Sequence, residues 1–528
     1  MIAERESPWP WQNRAPILAA IRGWDGRTTL QLADEPEAKG ALRYASGALD
    51  GIVTHHMGSA SARDQSDVVS SVLFSLERLA RTQSDQARAA LYELVMRGPM
   101  AAHADAIVDR LAAQRRLSRG DVLGPARWLV RTAAHREPLK LGIVLLGISG
   151  SSEDVEELMV LGRHDEFTLY AAVAVANLVD DPTDLWWRLA RDLRGWGKIH
   201  LVERLAPAAA ERADVRGWLV RDGCSNDVMD EYLAYLCATA GDLAGALAGA
   251  GPPDDGLIDG ACVILGALLR GGPAEDIDSY AAGPPAARAL VGILETRCDR
   301  LTRLDLLREL RAWLAGGTGE LAGEGWSRRR ELGWSRELCE ELWARAGVVL
   351  ARPEWRGRVA AAYLGDDAAE RSLAWGLGAA IGLDLWEAGF ARLTDEPLRD
   401  TLYFELLQGA DPARVRRVVE FAERALPLGQ IASGPADDLG FGPDYQAHTC
   451  LDFVLQELKR HRVFSGALVA AGLRSPTVRN RNLAAALLEV AAPGAWGDAT
   501  VAALRASAAD EPRGDLREKL KERLAALG

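Results

Sequence analysis

Asp180-Asp181-Pro182-Thr183-Asp184 is a run of acids whose spacing could hold a divalent ion. Carboxylates four residues apart on one continuous helix can bind Mg²⁺ against a diphosphate, because a hard cation takes oxygen ligands. Pro182 interrupts that run. An aspartate immediately before a proline is instead what a helix start requires: the carboxylate accepts an orphan N–H, and proline loses nothing at the first helical position. The run is therefore read as a cap, with Asp184 in the first turn. The residues after Asn226-Asp227, Asp230 and Ala234, do not complete a second metal motif. Gly147-Ile148-Ser149-Gly150-Ser151 follows an apolar run, but a nucleophile elbow needs a strand before the serine and glycine where Ser151 stands, so this is read as an inter-helix turn. Gly197-Lys198 lacks the earlier glycine of a phosphate-binding loop, Asp192 occupying that place. Of eight histidines, only His55 and His56 are close, and neighbours on a helix point about 100° apart, too far to chelate one ion. The six cysteines form no CxxC pair and are read as buried, reduced thiols. No catalytic residue, metal or cofactor is expected.

Two other groups of residues could carry recognition. Residues 110–140 hold Arg110, Arg115, Arg116, Arg119, Arg127, Arg131, Arg136 and Lys140 against two acids, Asp121 and Glu137, with Trp128 and His135 among them. Arg115 and Arg119 fall on one side of a helix, as do Arg127 and Arg131. Two such rows would form a positive stripe for an acidic partner; the competing reading is a solvated face whose salt-bridge partners lie elsewhere in the chain. The chain also carries 16 Trp against 8 Phe. Trp186, Trp187 and Trp196 lie near Arg191, and Trp with Arg is the commonest pairing at binding hot spots. A second group comprises Trp313, Trp326, Trp334, Trp343 and Trp355. Packing between small, alanine-rich helices is the plainer expectation for both groups.

The elements that must position these residues are helices. Ala, Leu, Glu and Arg dominate, and runs of alternating Val, Ile and Thr are hard to find. Val69, Val72, Leu73, Leu76 and Leu79 repeat at helical spacing within Ser66–Leu79, and Leu483, Leu487 and Val490 do so near the C-terminus. Asp181-Pro182, Asp411-Pro412 and Ser475-Pro476 mark helix starts, and glycine-rich breaks such as 249–256 and 271–273 mark ends. The pattern predicts roughly 20–28 short helices joined by tight turns.

Gly466–Val490, GALVAAGLRSPTVRNRNLAAALLEV, resembles a HEAT-type repeat: a helix ending at Leu473, a turn at Ser475-Pro476, and a second helix opening at Val478-Arg479. Similar openings are Ala87-Arg88, Val215-Arg216, Leu398-Arg399, Val415-Arg416 and Glu370-Arg371, and Leu139–Leu178 reads as three helices in the same style. The turn aspartate of regular repeats is replaced here by residues such as Leu473, Leu393 and Ala210, and the spacing is irregular. The resemblance implies an all-α, right-handed α-α superhelix, armadillo-like, and the glycine-rich break near 320 divides it into two lobes. The expected organisation is an N-terminal cap over 1–60, a first lobe over 61–315, a glycine-rich break at 316–335 and a second lobe over 336–528.

The 528 residues carry 62 Lys and Arg against 75 Asp and Glu, a net charge of −13. That argues against a general nucleic-acid coat or a membrane-surface protein, both of which need a broad positive field. Lysine is scarce against arginine, as in GC-rich bacterial genomes. With no leader-like start and no long apolar stretch, a cytoplasmic setting without membrane contact is expected. The function expected is a non-enzymatic scaffold or adaptor that binds a protein partner, acidic if the arginine stripe docks it. The alternatives are a HEAT-like DNA-binding or DNA-repair protein, which the acidity disfavours, and an all-α enzyme of unrecognised type.

Overall fold

The computed structural model describes residues 9–12, 14–35, 44–56, 62–114, 116–318 and 324–526. Among these residues 72% are helical, there are thirty α-helices and no strand, so the chain is all-α. The helices outnumber the 20–28 expected because several are fragments, such as Leu428–Ile431 and Leu243–Leu247. Turn chemistry places the helices much as the sequence implies. Val69, Val72, Leu73, Leu76 and Leu79 are all buried along the helix Ala62–Thr82. Asp411 Oδ1 accepts from the N–H groups of Ala413 and Arg414 at 2.8 and 3.0 Å, with Pro412 opening the helix Pro412–Ala425. The segment 139–178 forms the ends and middle of three helices, Arg136–Ser149, Val155–Leu161 and Asp165–Leu178. Gly466–Leu473 and Val478–Leu487 are the two helices read on either side of Ser475-Pro476.

The chain divides into two compact units, with the change at Ala351 and Arg352. In the first, Arg119–Thr132 packs on Arg136–Ser149, which packs on Asp165–Leu178, which packs on Trp196–Leu205. Further along, Asp255–Arg270 packs on Leu301–Ala315, and that on Arg336–Leu350. In the second unit Asp400–Leu407, Gln446–His461, Val478–Leu487 and Gly514–Ala525 make one row, while Leu428–Ile431, Gly466–Leu473 and Asp498–Asp510 make another. The core of the second unit runs between these rows, from Trp386 and Tyr403 through Leu455 and Leu473 to Leu504 and Leu520. Among the described residues no helix is long and apolar enough to cross a membrane.

Candidate functional site

The basic stretch folds into the end of the helix Ala104–Gln114, the helix Arg119–Thr132 and the start of Arg136–Ser149. Ser118 and Asp121 form a reciprocal capping box that fixes where the middle helix begins. The arginines then find partners distant in sequence, several of them beyond the helix Arg136–Ser149. Arg127 grips Asp154 with two N–H donors, at 2.7 and 3.0 Å, and that carboxylate is almost fully buried. Arg131 donates to Glu157 at 3.0 Å, and Arg136 reaches Asp34 at 3.3 Å. Arg119 donates to the carbonyls of Ser149 and Gly150, filling acceptors that a helix end leaves open. Arg116 lies 3.7 Å from Glu77, and Arg110 donates to Ser70. Arg115 lies outside the described residues. Trp128 packs edge-on against Trp11, with Arg88 over its ring. The positive stretch is thus largely matched by carboxylates from residues 34 and 153–166.

The tryptophans separate. Trp196 is buried, with its ring 5.2 Å from that of Tyr232, and it abuts Gly51 so closely that a methyl group there would sit 2.2 Å from the indole. Trp186 and Trp187 are half-buried on the helix Thr183–Asp192. The Trp186 indole donates to Ala172 O, and Trp187 lies between the guanidinium groups of Arg191 and Arg212, at 5.9 and 5.8 Å from the ring centre. The second group clusters around Trp313, whose ring lies 4.8 Å from both Trp326 and Trp334. Arg329 covers Trp313 and Trp326 while gripping Asp278.

The motifs weighed for chemistry are used structurally. Asp181 Oδ1 accepts from Thr183 N–H at 2.9 Å, and Asp184 pairs with Arg212 instead of facing Asp180. Ser149 Oγ donates back to Leu145 O, so its hydroxyl is engaged within its own helix. His55 and His56 lie on the helix Ala48–His56, with side chains outside the described residues. All six cysteines are buried and free, and burial pushes the Cys237 thiol up to about 12. Among the described residues no group of His, Cys, Asp and Glu is arranged to hold a metal ion.

Two features escape the sequence. The first is Lys140, fully buried, with Nζ 2.7 Å from Asp50, 2.7 Å from Glu166 and 3.0 Å from Glu137. Burial works against its charge, but the three carboxylates outweigh burial and hold the ammonium charged, its pKa above the ordinary value. Burial in turn raises the Asp50 and Glu137 carboxyls, while Lys140 brings Glu166 below its ordinary value despite burial. This cluster ties the helix Ala48–His56 to Arg136–Ser149 and Asp165–Leu178.

The second is a cleft of about 130 Å³ within the second unit, lined by Tyr363, Ala368, Arg371, Ser372, Arg392, Arg399, Thr401, Leu402 and Glu405. Its walls come from the helices Glu354–Leu364, Ala368–Ala380, Trp386–Asp395 and Asp400–Leu407 and from the turn carrying Arg399. Arg371 spends one N–H on Gly365 O at 2.9 Å, and Arg392 one on Glu396 at 2.8 Å. Glu405, half-buried among them, makes no hydrogen bond or ion pair with any described residue; burial pushes its carboxyl up to about 7, against the opposing pull of Arg392, Arg399 and Arg371. Tyr363 is buried at 2% exposure with its hydroxyl unpartnered, and burial followed by the nearby Glu405 carboxylate pushes it up to about 12. No motif announces this site, since its residues come from four helices and a turn. No protein-family model, no curated protein and no solved structure matches this chain.

Proposed function

We propose that the chain is a non-enzymatic interaction scaffold built as a HEAT-like α-solenoid, binding protein partners along the surface of its helical rows. The observation that carries this reading is the packing order: within each unit a helix packs chiefly on helices one to three places away in sequence. A stack of that kind buries its core between neighbours and leaves long helical faces for other molecules. Large apolar side chains stand exposed on such faces, among them Phe74 at 62% and Val348 at 67%. The arginines of 110–140 support a scaffold over a phosphate-backbone binder, because Arg127, Arg131 and Arg136 already hold carboxylates of their own chain. Affinity purification from the source cell, with mass spectrometry and nuclease-treated controls, tests the proposal. Recovery of a stoichiometric protein partner supports it. Co-purification of nucleic acid alone, lost on nuclease treatment, overturns it.

A further inference from the structure

At several places in the described chain an arginine beside a carboxylate closes onto it. Arg127 with Asp154, Arg345 with Glu295 and Arg481 with Glu511 all make two N–H···O contacts of 3.0 Å or less. The cleft at Arg371, Arg392 and Arg399 breaks that habit. Three guanidinium groups act on Glu405, yet none comes within ion-pair distance of it. Each arginine has five N–H donors. Arg371 and Arg392 use one apiece on the protein, and the Arg399 side chain makes no hydrogen bond with a described residue. The contrast extends to the tyrosines. Tyr403, on the helix of Glu405, donates its hydroxyl to Pro397 O at 2.8 Å, while the Tyr363 hydroxyl, deeper in the wall of the cleft, has no partner. A buried hydroxyl without a partner costs free energy, and of the three guanidinium groups only Arg392 has an ion-pair partner among the described residues, Glu396, so Arg371 and Arg399 are left without one. An anion in the cleft would satisfy both.

We propose that this cleft binds a small phosphate monoester, with the arginines and the Tyr363 hydroxyl as donors and Glu405 protonated in the complex. Guanidinium forks match phosphate oxygens in pairs, and three of them on separate elements can surround a tetrahedral dianion from several sides. Ser372 and Thr401 add hydroxyl donors at the wall, while Ala368 and Leu402 offer apolar surface to the ester group. The enclosed space, about 130 Å³, is below the range of drug-sized pockets and suits a small ligand. Glu405 is the obstacle and the control. As a carboxylate it would repel the dianion. Protonated by one proton from solvent, it presents an O–H to a phosphate oxygen. The charged groups acting on it are Arg371 from Ala368–Ala380, Arg392 from Trp386–Asp395 and Arg399 from the following turn, and it in turn acts on Tyr363 from Glu354–Leu364. The proposal does not depend on the scaffold reading, since it concerns one unit and a small ligand.

Calorimetry on the full chain at about 0.15 M ionic strength tests it, with glycerol 3-phosphate, inorganic phosphate and sulfate as probes and chloride as the control. Glycerol 3-phosphate is expected to bind saturably and more tightly than inorganic phosphate. Arg392→Gln and Arg399→Gln should each weaken binding by about 10- to 100-fold, and Tyr363→Phe by about 3- to 10-fold while raising the melting temperature of the free protein. Sulfate stays a dianion throughout, so its binding isolates Glu405: affinity should rise as pH falls from 8 to 6, with net proton uptake read from buffers of different ionisation enthalpy. Glu405→Gln should bind more tightly at pH 8 and lose the uptake. Saturation by none of the oxyanions, or equal binding by wild type and both arginine variants when circular dichroism shows all three folded, overturns the site. Arginine-dependent sulfate binding with no proton uptake overturns the role given to Glu405.

Discussion

Arg481 and Glu511 face each other in the second unit with neither side chain exposed, joined by N–H···O contacts of 2.7 and 2.9 Å. Arg481 also donates to the carbonyls of Ser475 and Pro476, so one guanidinium holds the turn between two helices and the end of a third, Asp498–Asp510. Two buried charges are tolerated when each is fully hydrogen-bonded, and breaking one side leaves the other stranded. Arg481→Met should cost about 3–5 kcal/mol in urea unfolding of the second unit. Arg481→Met with Glu511→Leu should cost less than the sum of the single changes by about 2 kcal/mol or more. Strict additivity in that cycle would show that the pair is not coupled.

Arg127 and Arg116 should separate structural from surface arginines within the basic stretch. Arg127→Glu puts a second carboxylate beside buried Asp154, and should lower the melting temperature clearly. Arg116, mostly exposed and 3.7 Å from Glu77, should cost under about 1 kcal/mol on the same reversal. Equal thermal shifts for the two would contradict the structure. A partner-binding assay using reversed charges in this stretch must therefore use Arg116 and Arg110, because a loss seen with Arg127→Glu reports folding.

The same arginines show what the sequence could and could not say. The cap before a proline was legible at Asp411, whereas after Asp181-Pro182 and Ser475-Pro476 the helices begin later, at Thr183 and Val478, with Pro182 and Thr477 at the cap position. The neutralisation of 110–140 was not legible, because the partners are distant in sequence: Arg127 with Asp154 and Arg131 with Glu157, past an intervening helix, and Arg136 with Asp34 and Glu166. A local charge count sees arginines and misses carboxylates that only helix stacking brings near. The same holds for Lys140, whose three acids span residues 50–166, and for the arginine cleft, whose residues follow no spacing rule.

Asp165 sets a pH dependence. Burial pushes its carboxyl up to about 6, against the Gly197 N–H that favours the charged form at 2.7 Å. The folded state then holds its proton more tightly than the unfolded chain, so this contribution to stability is present below about pH 4 and is lost as pH rises through 6. Asp165→Asn keeps an acceptor for Gly197. It should leave stability near wild type at pH 4 and raise it by about 1–2 kcal/mol at pH 8. Denaturant midpoints at the two pH values check this, and an Asn variant less stable at both would refute the assignment.

Asp181 should behave as a local turn residue. Its carboxylate accepts Thr183 N–H at the start of an exposed helix, so Asp181→Ala should cost about 0.5–1 kcal/mol. Magnesium should not shift the melting temperature of wild type or variant. A magnesium-dependent rise that the substitution removes would restore the diphosphate reading.

Gly51 decides whether Trp196 is core or recognition surface. Within a helix, glycine to alanine normally gains up to about 1 kcal/mol, because alanine loses less backbone freedom on folding. At Gly51 the added methyl would lie 2.2 Å from the Trp196 ring, a distance that no rotation of the methyl relieves. Trp196 itself is 5% exposed and abuts Tyr232, so it has little room to withdraw. Overpacking of this kind costs about 1–3 kcal/mol and outweighs the propensity gain. Gly51→Ala should therefore lower the melting temperature, and Gly51→Ala combined with Trp196→Leu should recover part of the loss by giving the methyl space. If Gly51→Ala is instead stabilising, the Trp196 ring does not rest on this helix, and its burial as drawn is wrong.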